Sequence, residues 1–253
     1  MTWVDQGRAV LRLCYFNGII PLWRSPLLIA AVFLTPFSFL FFLKVVAPAA
    51  AFPYGVVGGI LFTVLFSGNG MLNDCAYLRL ERQLQQVFVA SPVRSFSYVL
   101  GMALSELAFT LPALVLFLGI LAAILPISVG GFLLLLGVVL LTWLMATTLG
   151  FLISTMFRQL REIWPIGTLI FSGLAILPPI FYPANVVPSD VQWVAFLAPS
   201  TYAAQLAERA AGLSTGSLAP AFLGSPVFDL IGLVGGTVLF ALAAAYLARW
   251  REP

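Results

Sequence analysis

The chain has 253 residues, of which 62% are hydrophobic and 8% charged, with a net charge of +3 and no histidine. A mean hydropathy of +1.08 would expose more hydrocarbon than a soluble domain tolerates, so the chain reads as an integral membrane protein. The missing histidine removes Ser-His nucleophilic catalysis, His-ligated metals and most neutral-pH acid-base schemes.

The first 25 residues lack the continuous apolar core and small-residue cleavage site of a signal peptide. They predict an amphipathic interfacial helix within 1–26, with Asp5, Arg8 and Arg12 on one face and Trp3, Val10 and Cys14 on another. Windows of about 20 apolar residues, the length that crosses a bilayer as a helix, then fall at about 27–43, 55–72, 98–125, 131–156, 163–182 and 227–248, leaving 249–253 as a tail. None alternates with the period of two that a membrane barrel requires. The expected fold is therefore all-α, with six transmembrane helices.

Gly59, Thr63, Ser67, Gly70 and Asp74 share one face of the second span. Such a stripe serves either close helix packing or a substrate path. Phe62 and Phe66 flank it, and Thr168 and Ser172 make a similar case in the fifth span, ahead of a kink at Pro178 and Pro179. Asp74 ends the stripe, a few residues before Arg79 and Arg82, and is a candidate inner gate closed by an ion pair. Glu106 in the third span and Asp229 at the start of the sixth are further ionisable groups near an interface.

Between spans two and three, Leu80, Leu84, Val87 and Phe88 recur at helical spacing, while Glu81, Arg82, Gln85 and Gln86 cover the other face. Pro92 stops this short amphipathic helix, because proline loses a backbone donor and disfavours helix at the preceding Ser91. A sticky face and a hard stop suit a segment that presses into a partner's groove. After the fifth span, Ser189 is placed to cap a short helix through Leu197, and Ser200 another that Gly212 ends.

Ten of the twelve basic residues, Arg8, Arg12, Arg24, Arg79, Arg82, Arg94, Arg158, Arg161, Arg249 and Arg251, lie on one side of this arrangement; Lys44 and Arg209 lie on the other. The asymmetry puts both termini in the cytoplasm. Dispersed at span ends, these arginines form no nucleic-acid footprint. Cys14 and Cys75 have no paired spacing that would indicate a disulfide or a metal site. The run Gly212–Gly216 matches Gly-x-Ser-x-Gly but has no histidine to serve it, and Lys44, the one lysine, follows Leu43, which excludes a phosphate-binding loop.

Two stretches carry a resemblance to a known family. "LERQLQQVFVASPVRSFSYVLG", Leu80 to Gly101, and "FSGLAILPPIFYPANVVPSDVQWVAFLAPSTYAAQLAERAAG", Phe171 to Gly212, resemble the corresponding segments of permease subunits of type-2 ATP-binding-cassette exporters. The first departs from the family's frequent Gly-Thr-Leu-Glu, having Gln83, Leu84, Gln85 and Gln86 in that place. In the second, Ser172, Gly173, Phe181, Tyr182, Pro183, Pro199, Thr201, Tyr202 and Arg209 fit the family's Ser-Gly entry, aromatic-proline bend and Pro-x-Thr-Tyr segment. The resemblance implies a coupling helix from about Arg79 to Ala90, engaging the ATPase through Arg79, Glu81, Arg82, Leu84, Gln85, Gln86, Phe88, Ser91 and Pro92. It implies an N-terminal helix touching the same partner, and short re-entrant or extracytoplasmic helices between spans five and six. Phe62, Thr63, Phe66, Ser67, Thr168 and Ser172 would line the path. The chain itself would bind no cofactor and catalyse nothing. ATP and Mg would sit on two copies of a separate ATPase, and a second permease copy, more readily identical than related, would complete the pathway in the cytoplasmic membrane. A Phe-rich interior favours a hydrophobic or amphipathic cargo such as a drug or lipid, with lipid-linked polysaccharide as the alternative. A motorless proton-coupled transporter or a structural membrane subunit is the competing class.

Overall fold

The structure, a computed structural model, describes residues 3–46, 48–82, 93–215 and 221–247. Every regular element among these is helical. In chain order they are α1 (Trp3–Cys14), a π-helical turn (Tyr15–Ile19), α2 (Ile20–Arg24), α3 (Pro26–Val46), α4 (Phe52–Leu80), α5 (Ser95–Ile124), α6 (Val129–Ser154), α7 (Leu160–Ile176), the single turn α8 (Gln192–Ala195), α9 (Pro199–Ala210) and α10 (Pro226–Leu247). Among the described residues four segments, Ala49–Leu80, Ser95–Ile124, Val129–Ser154 and Pro226–Tyr246, are long and apolar enough to cross a membrane. In hydrocarbon a helix is the one open-ended element that satisfies its own backbone groups, which is why these apolar runs take that form.

α4 is the centre of the bundle, packed against α3, α5, α6, α7 and α9 and buried along most of its length. Glycine permits the closest approaches. Gly68 of α4 and Gly150 of α6 put backbone against backbone, and a Cβ at Gly58 would lie 2.6 Å from the Ile180 carbonyl oxygen. The polar stripe of α4 lies inside this packing: Thr63 and Ser67 are buried and their hydroxyls donate to their own helix, at the carbonyls of Gly59 (2.8 Å) and Val64 (2.6 Å). Gly59 accommodates the Phe117 ring of α5, 3.2 Å from where a Cβ would stand. The end of the bundle where α4 passes toward α5 is called here the connector end.

At that end the N-terminal segment lies on α5. Val10 and Leu13 are buried while Arg8 and Arg12 are exposed, so the apolar face is covered by protein. The π-helical turn brings Gly18 against α5, where a Cβ would stand 2.9 Å from Ser105 Cα.

Several boundaries differ from expectation. α4 continues past 72 to Leu80, because Cys75 and Ala76 are still buried and sustain it. α7 stops at Ile176, short of 182, since Pro178 and Pro179 follow and cannot donate to a helical ladder. Ser189 caps nothing: Pro188 to Val191 form a turn instead (Val191 N to Pro188 O, 3.0 Å), and only the turn α8 follows. Ser200 likewise is no cap. Pro199 already occupies the first turn of α9, and the Ser200 hydroxyl reaches across to the Leu174 carbonyl at 2.6 Å.

Candidate functional site

The connector end brings four helix ends together. Arg79, in the last turn of α4, donates to the carbonyls of Ser154 and Phe157 and, at 3.4 Å, Thr155. These are orphan carbonyls of the C-terminal end of α6 and the turn beyond it, where a cation is also favoured by the helix dipole. Arg82 is exposed and turned onto Tyr77, with its Nε 2.9 Å from the phenol oxygen and its guanidinium over the ring. Glu81 is exposed beside it. Gln6 of α1 accepts from the Arg94 backbone N–H at 3.1 Å, just before α5 begins. At this end α4 is thus fastened to α6, and the N-terminal helix to the start of α5. Gln83 to Pro92, and with them Leu84, Gln85, Gln86, Phe88, Ser91 and Pro92, lie outside the described residues.

The ion pair expected between Asp74 and Arg79 or Arg82 is not formed. Arg79 is drawn to the α6 carbonyls and Arg82 to Tyr77. Nothing in the sequence spacing signals the Arg79 contact, which joins residues 75 apart.

Of the path residues, Phe62 is buried and stacks on half-buried Phe66 at 4.4 Å, with the Phe181 ring 6.1 Å from Phe62. Thr168 is exposed on α7 and Ser172 half-buried. Beside them an open apolar groove of about 670 Å³ runs between α7 and the 177–198 segment, lined by Leu169, Gly173, Leu174, Leu177, Tyr182 and Val194 among others. At neither end is there a cluster of three or more His, Cys, Asp or Glu able to hold a metal among the described residues.

The sequence pattern of the ABC-2 type transporter matches residues 10–209, most of the chain, from the second half of α1 to α9. The chain belongs to the ABC-2 family. It is accordingly a multi-pass membrane protein and the transport component of an ATP-binding-cassette system. No curated protein matches it closely.

The segment specific to this ABC-2 chain's second resemblance is assembled against α10. Pro199 rests on Gly236, 3.0 Å from where a Cβ would stand, and the Tyr202 ring on Gly232 at 2.6 Å. The Thr201 hydroxyl donates to the Ala195 carbonyl and the Tyr202 hydroxyl to that of Phe196 at 2.7 Å, which folds α8 back onto α9. Pro183 opens a 3₁₀ turn, Ala184–Val186. Arg209 pairs with buried Asp229 of α10 at 3.3 Å and donates to the Gly224 carbonyl at 2.7 Å. In this ABC-2 permease, Pro199, Thr201, Tyr202 and Arg209 therefore hold one cap at the end opposite the connector.

Glu208 is the costly member of that cap. It is fully buried and neither carboxyl oxygen has a hydrogen-bond partner. Burial pushes it up to about 9, against a pull downward from Arg209 and with a further push from Asp229. The proton is therefore held more tightly in the folded state than in the unfolded one. Glu208 contributes no penalty below its ordinary value of 4.5, and stability falls from there as pH rises toward 9. Glu208→Gln should flatten this slope and raise the unfolding midpoint at pH 8, by about 2–4 °C for each kcal/mol recovered. Thermal unfolding of the purified protein from pH 5 to 9 measures it, and an unchanged slope would mean that Glu208 is ionised in place.

Proposed function

We propose that this ABC-2 chain is the permease of an ATP-driven exporter. Its six spans run through α3, α4, α5, α6, α7 and α10, with both termini in the cytoplasm and the protein in the cytoplasmic membrane. Two copies form the pathway, and two copies of a separate ATPase bind ATP and Mg beneath them. The observation that carries the reading is the connector end. Arg79 fastens the end of α4 to the α6 terminus and the turn into α7, so force applied to residues 79–92 reaches four helices at once. That is the mechanical arrangement a coupling helix needs.

Cargo is the second element of the proposal. The groove beside α7 is almost wholly apolar, and on α4 the Phe62 ring stacks on Phe66 and meets Phe181. Hydroxyls that could read a polar cargo, Thr63 and Ser67, are already bonded to their own helix. A hydrophobic or amphipathic molecule such as a drug or lipid fits this surface, and it is drawn in by burial at about 25 cal/mol per Å² of apolar area.

Single cysteines test the architecture. With Cys14 and Cys75 replaced by serine, a cysteine at Ser95 or Gln159 should resist a membrane-impermeant thiol reagent in intact cells and react once the cells are opened. One at Ser214 should react in intact cells. The reverse pattern would overturn the orientation and with it the direction of transport.

A further inference from the structure

Asn69 and Asn73 stand one turn apart on α4, about 6 Å along its axis at 1.5 Å per residue. Both are half-buried, and they continue the line of Phe62 and Phe66 toward exposed Tyr77 at helical spacing. The Phe62 and Phe66 rings stack. Asn69 Oδ1 lies in the crossing with α7, 2.7 Å from where a Cβ of Gly167 would stand, and the residue after Gly167 is the exposed Thr168. Both side-chain oxygens are buried with no hydrogen-bond partner. An unbonded carbonyl removed from water costs more than an apolar group of the same shape, so packing alone does not account for two carboxamides here. The amide nitrogens are not enclosed, and each carries two N–H donors. This line of α4 therefore presents an aromatic stack and then, toward the connector end, outward-facing donors.

The neighbouring groups narrow the ligand. Asp74 directly follows Asn73, and the Glu106 carboxyl lies against Gly70, the residue after Asn69. The arginines further along α4 are turned elsewhere, Arg79 to the α6 carbonyls and Arg82 to Tyr77. An anionic group approaching the amides would meet carboxyls first. A cationic group cannot use N–H donors. An uncharged acceptor, the oxygen of a hydroxyl, ether or carbonyl, matches them.

We propose that Asn69 and Asn73 form a headgroup site for an amphipathic molecule with an uncharged, oxygen-bearing head. Its chain lies along Phe62 and Phe66, and its head accepts hydrogen bonds from the two amides. The site's part in transport rests on the permease reading, whereas the binding itself needs no ATPase. Specificity then follows from position: the stacked rings accept any hydrocarbon chain, and the amides select the head.

The probes are amphiphiles that share one diazirine-bearing alkyl chain and carry a hydroxyl, a trimethylammonium or a phosphate head. Each is photolysed with the whole chain in lipid nanodiscs, without ATPase, and mass spectrometry compares the label on residues 62–77 with the background on α10. The alcohol should label 62–77 above that background, and excess unlabelled alcohol should remove the surplus. Asn69→Leu combined with Asn73→Leu should cut the surplus about tenfold, the factor for about 1.4 kcal/mol, which two neutral hydrogen bonds together supply. The thermal unfolding midpoint of the double variant should equal that of the wild type or exceed it, because unpaired polar groups give way to apolar ones of similar size. The proposal is overturned by a wild type without the surplus, by a surplus that the double variant retains, or by one that favours the ammonium or phosphate head. A double variant with a lowered midpoint or no fold would make the carboxamides structural and overturn it equally. Failure of the permease reading looks different: ATP-driven transport would be absent while this binding persists.

Discussion

Gly150→Leu should leave almost no monodisperse protein after extraction from membranes, and Gly150→Ala should lower the unfolding midpoint, whereas Gly137→Ala on the same helix should change neither. A Cβ at Gly150 would collide with the Gly68 carbonyl oxygen and stand 3.0 Å from the Gly68 carbonyl carbon and 3.2 Å from Leu72 N, all backbone atoms of α4. No rotamer change relieves that contact, so the helices themselves must separate. The crossing is closed from the other side as well, because a Cβ at Gly68 would meet the Ala146 carbonyl and the Phe171 ring. Overpacking of a core ordinarily costs about 1–3 kcal/mol. Here the displaced element is α4, on which α3, α5 and α7 also rest, and the cost of the larger side chain should exceed that range. Gly137 has nothing within 4 Å of its would-be Cβ, so it controls for glycine's effect on helix propensity alone. Size-exclusion profiles and thermal scans of the three variants decide it, and equal profiles would mean that α4 and α6 are not in backbone contact.

That crossing shows where sequence reading reaches and where it stops. The apolar runs are long and uninterrupted, so helices at four of the expected spans could be placed from composition alone. Gly59, Thr63, Ser67 and Gly70 were visible as one face of α4 because small residues recur there at helical spacing. Which helix covers that face was not visible, since Phe117 of α5 and Glu106 are chosen by tertiary contact. Arg79 fell within the expected coupling segment, but its engagement of the α6 carbonyls follows from an approach of residues far apart in sequence. Asp74 stands out in the sequence for the arginines next to it in the chain, yet these turn to other partners, and Glu106 is accommodated by Gly70, a position whose importance lies in the side chain it lacks. Arg209 and Asp229 were each singled out, one by motif and one as an intramembrane acid, and only the return of α10 past α9 makes them a pair. Ser189 and Ser200 had the chemistry of caps, but Pro188 and Pro199 set the local backbone first.

Replacing Leu84 and Phe88 together with alanine should abolish transport and release the ATPase during purification, while the membrane helices remain inserted. On the proposed reading of residues 79–92 as the coupling helix, Leu84 and Phe88 are the apolar face that docks into the ATPase, and the described residues on either side are anchored by Arg79 and by the Gln6 contact before α5. Each side chain of this size contributes about 1.5–3 kcal/mol when buried in a partner's groove. Losing two of them from one contact lowers affinity by at least about a hundredfold, at 1.4 kcal/mol per factor of ten. Both residues fall in sequence between the membrane-crossing segments Ala49–Leu80 and Ser95–Ile124, so insertion and the α4–α6 crossing should survive. Glu81→Arg should weaken the same association by reversing a charge at its rim; its effect should shrink as salt is added, because exposed charges are screened over about 10 Å at 0.1 M. Co-purification of the two subunits from membranes, with a transport assay on the same variants, reads all three substitutions. Full ATPase recovery and full transport by the double variant would show that residues 83–92 form an ordinary surface loop. The force on α4 and α5 would then have to enter elsewhere, and the N-terminal helix, fastened to α5 through Leu13, Gly18 and Gly101, is the other element at that end able to carry it.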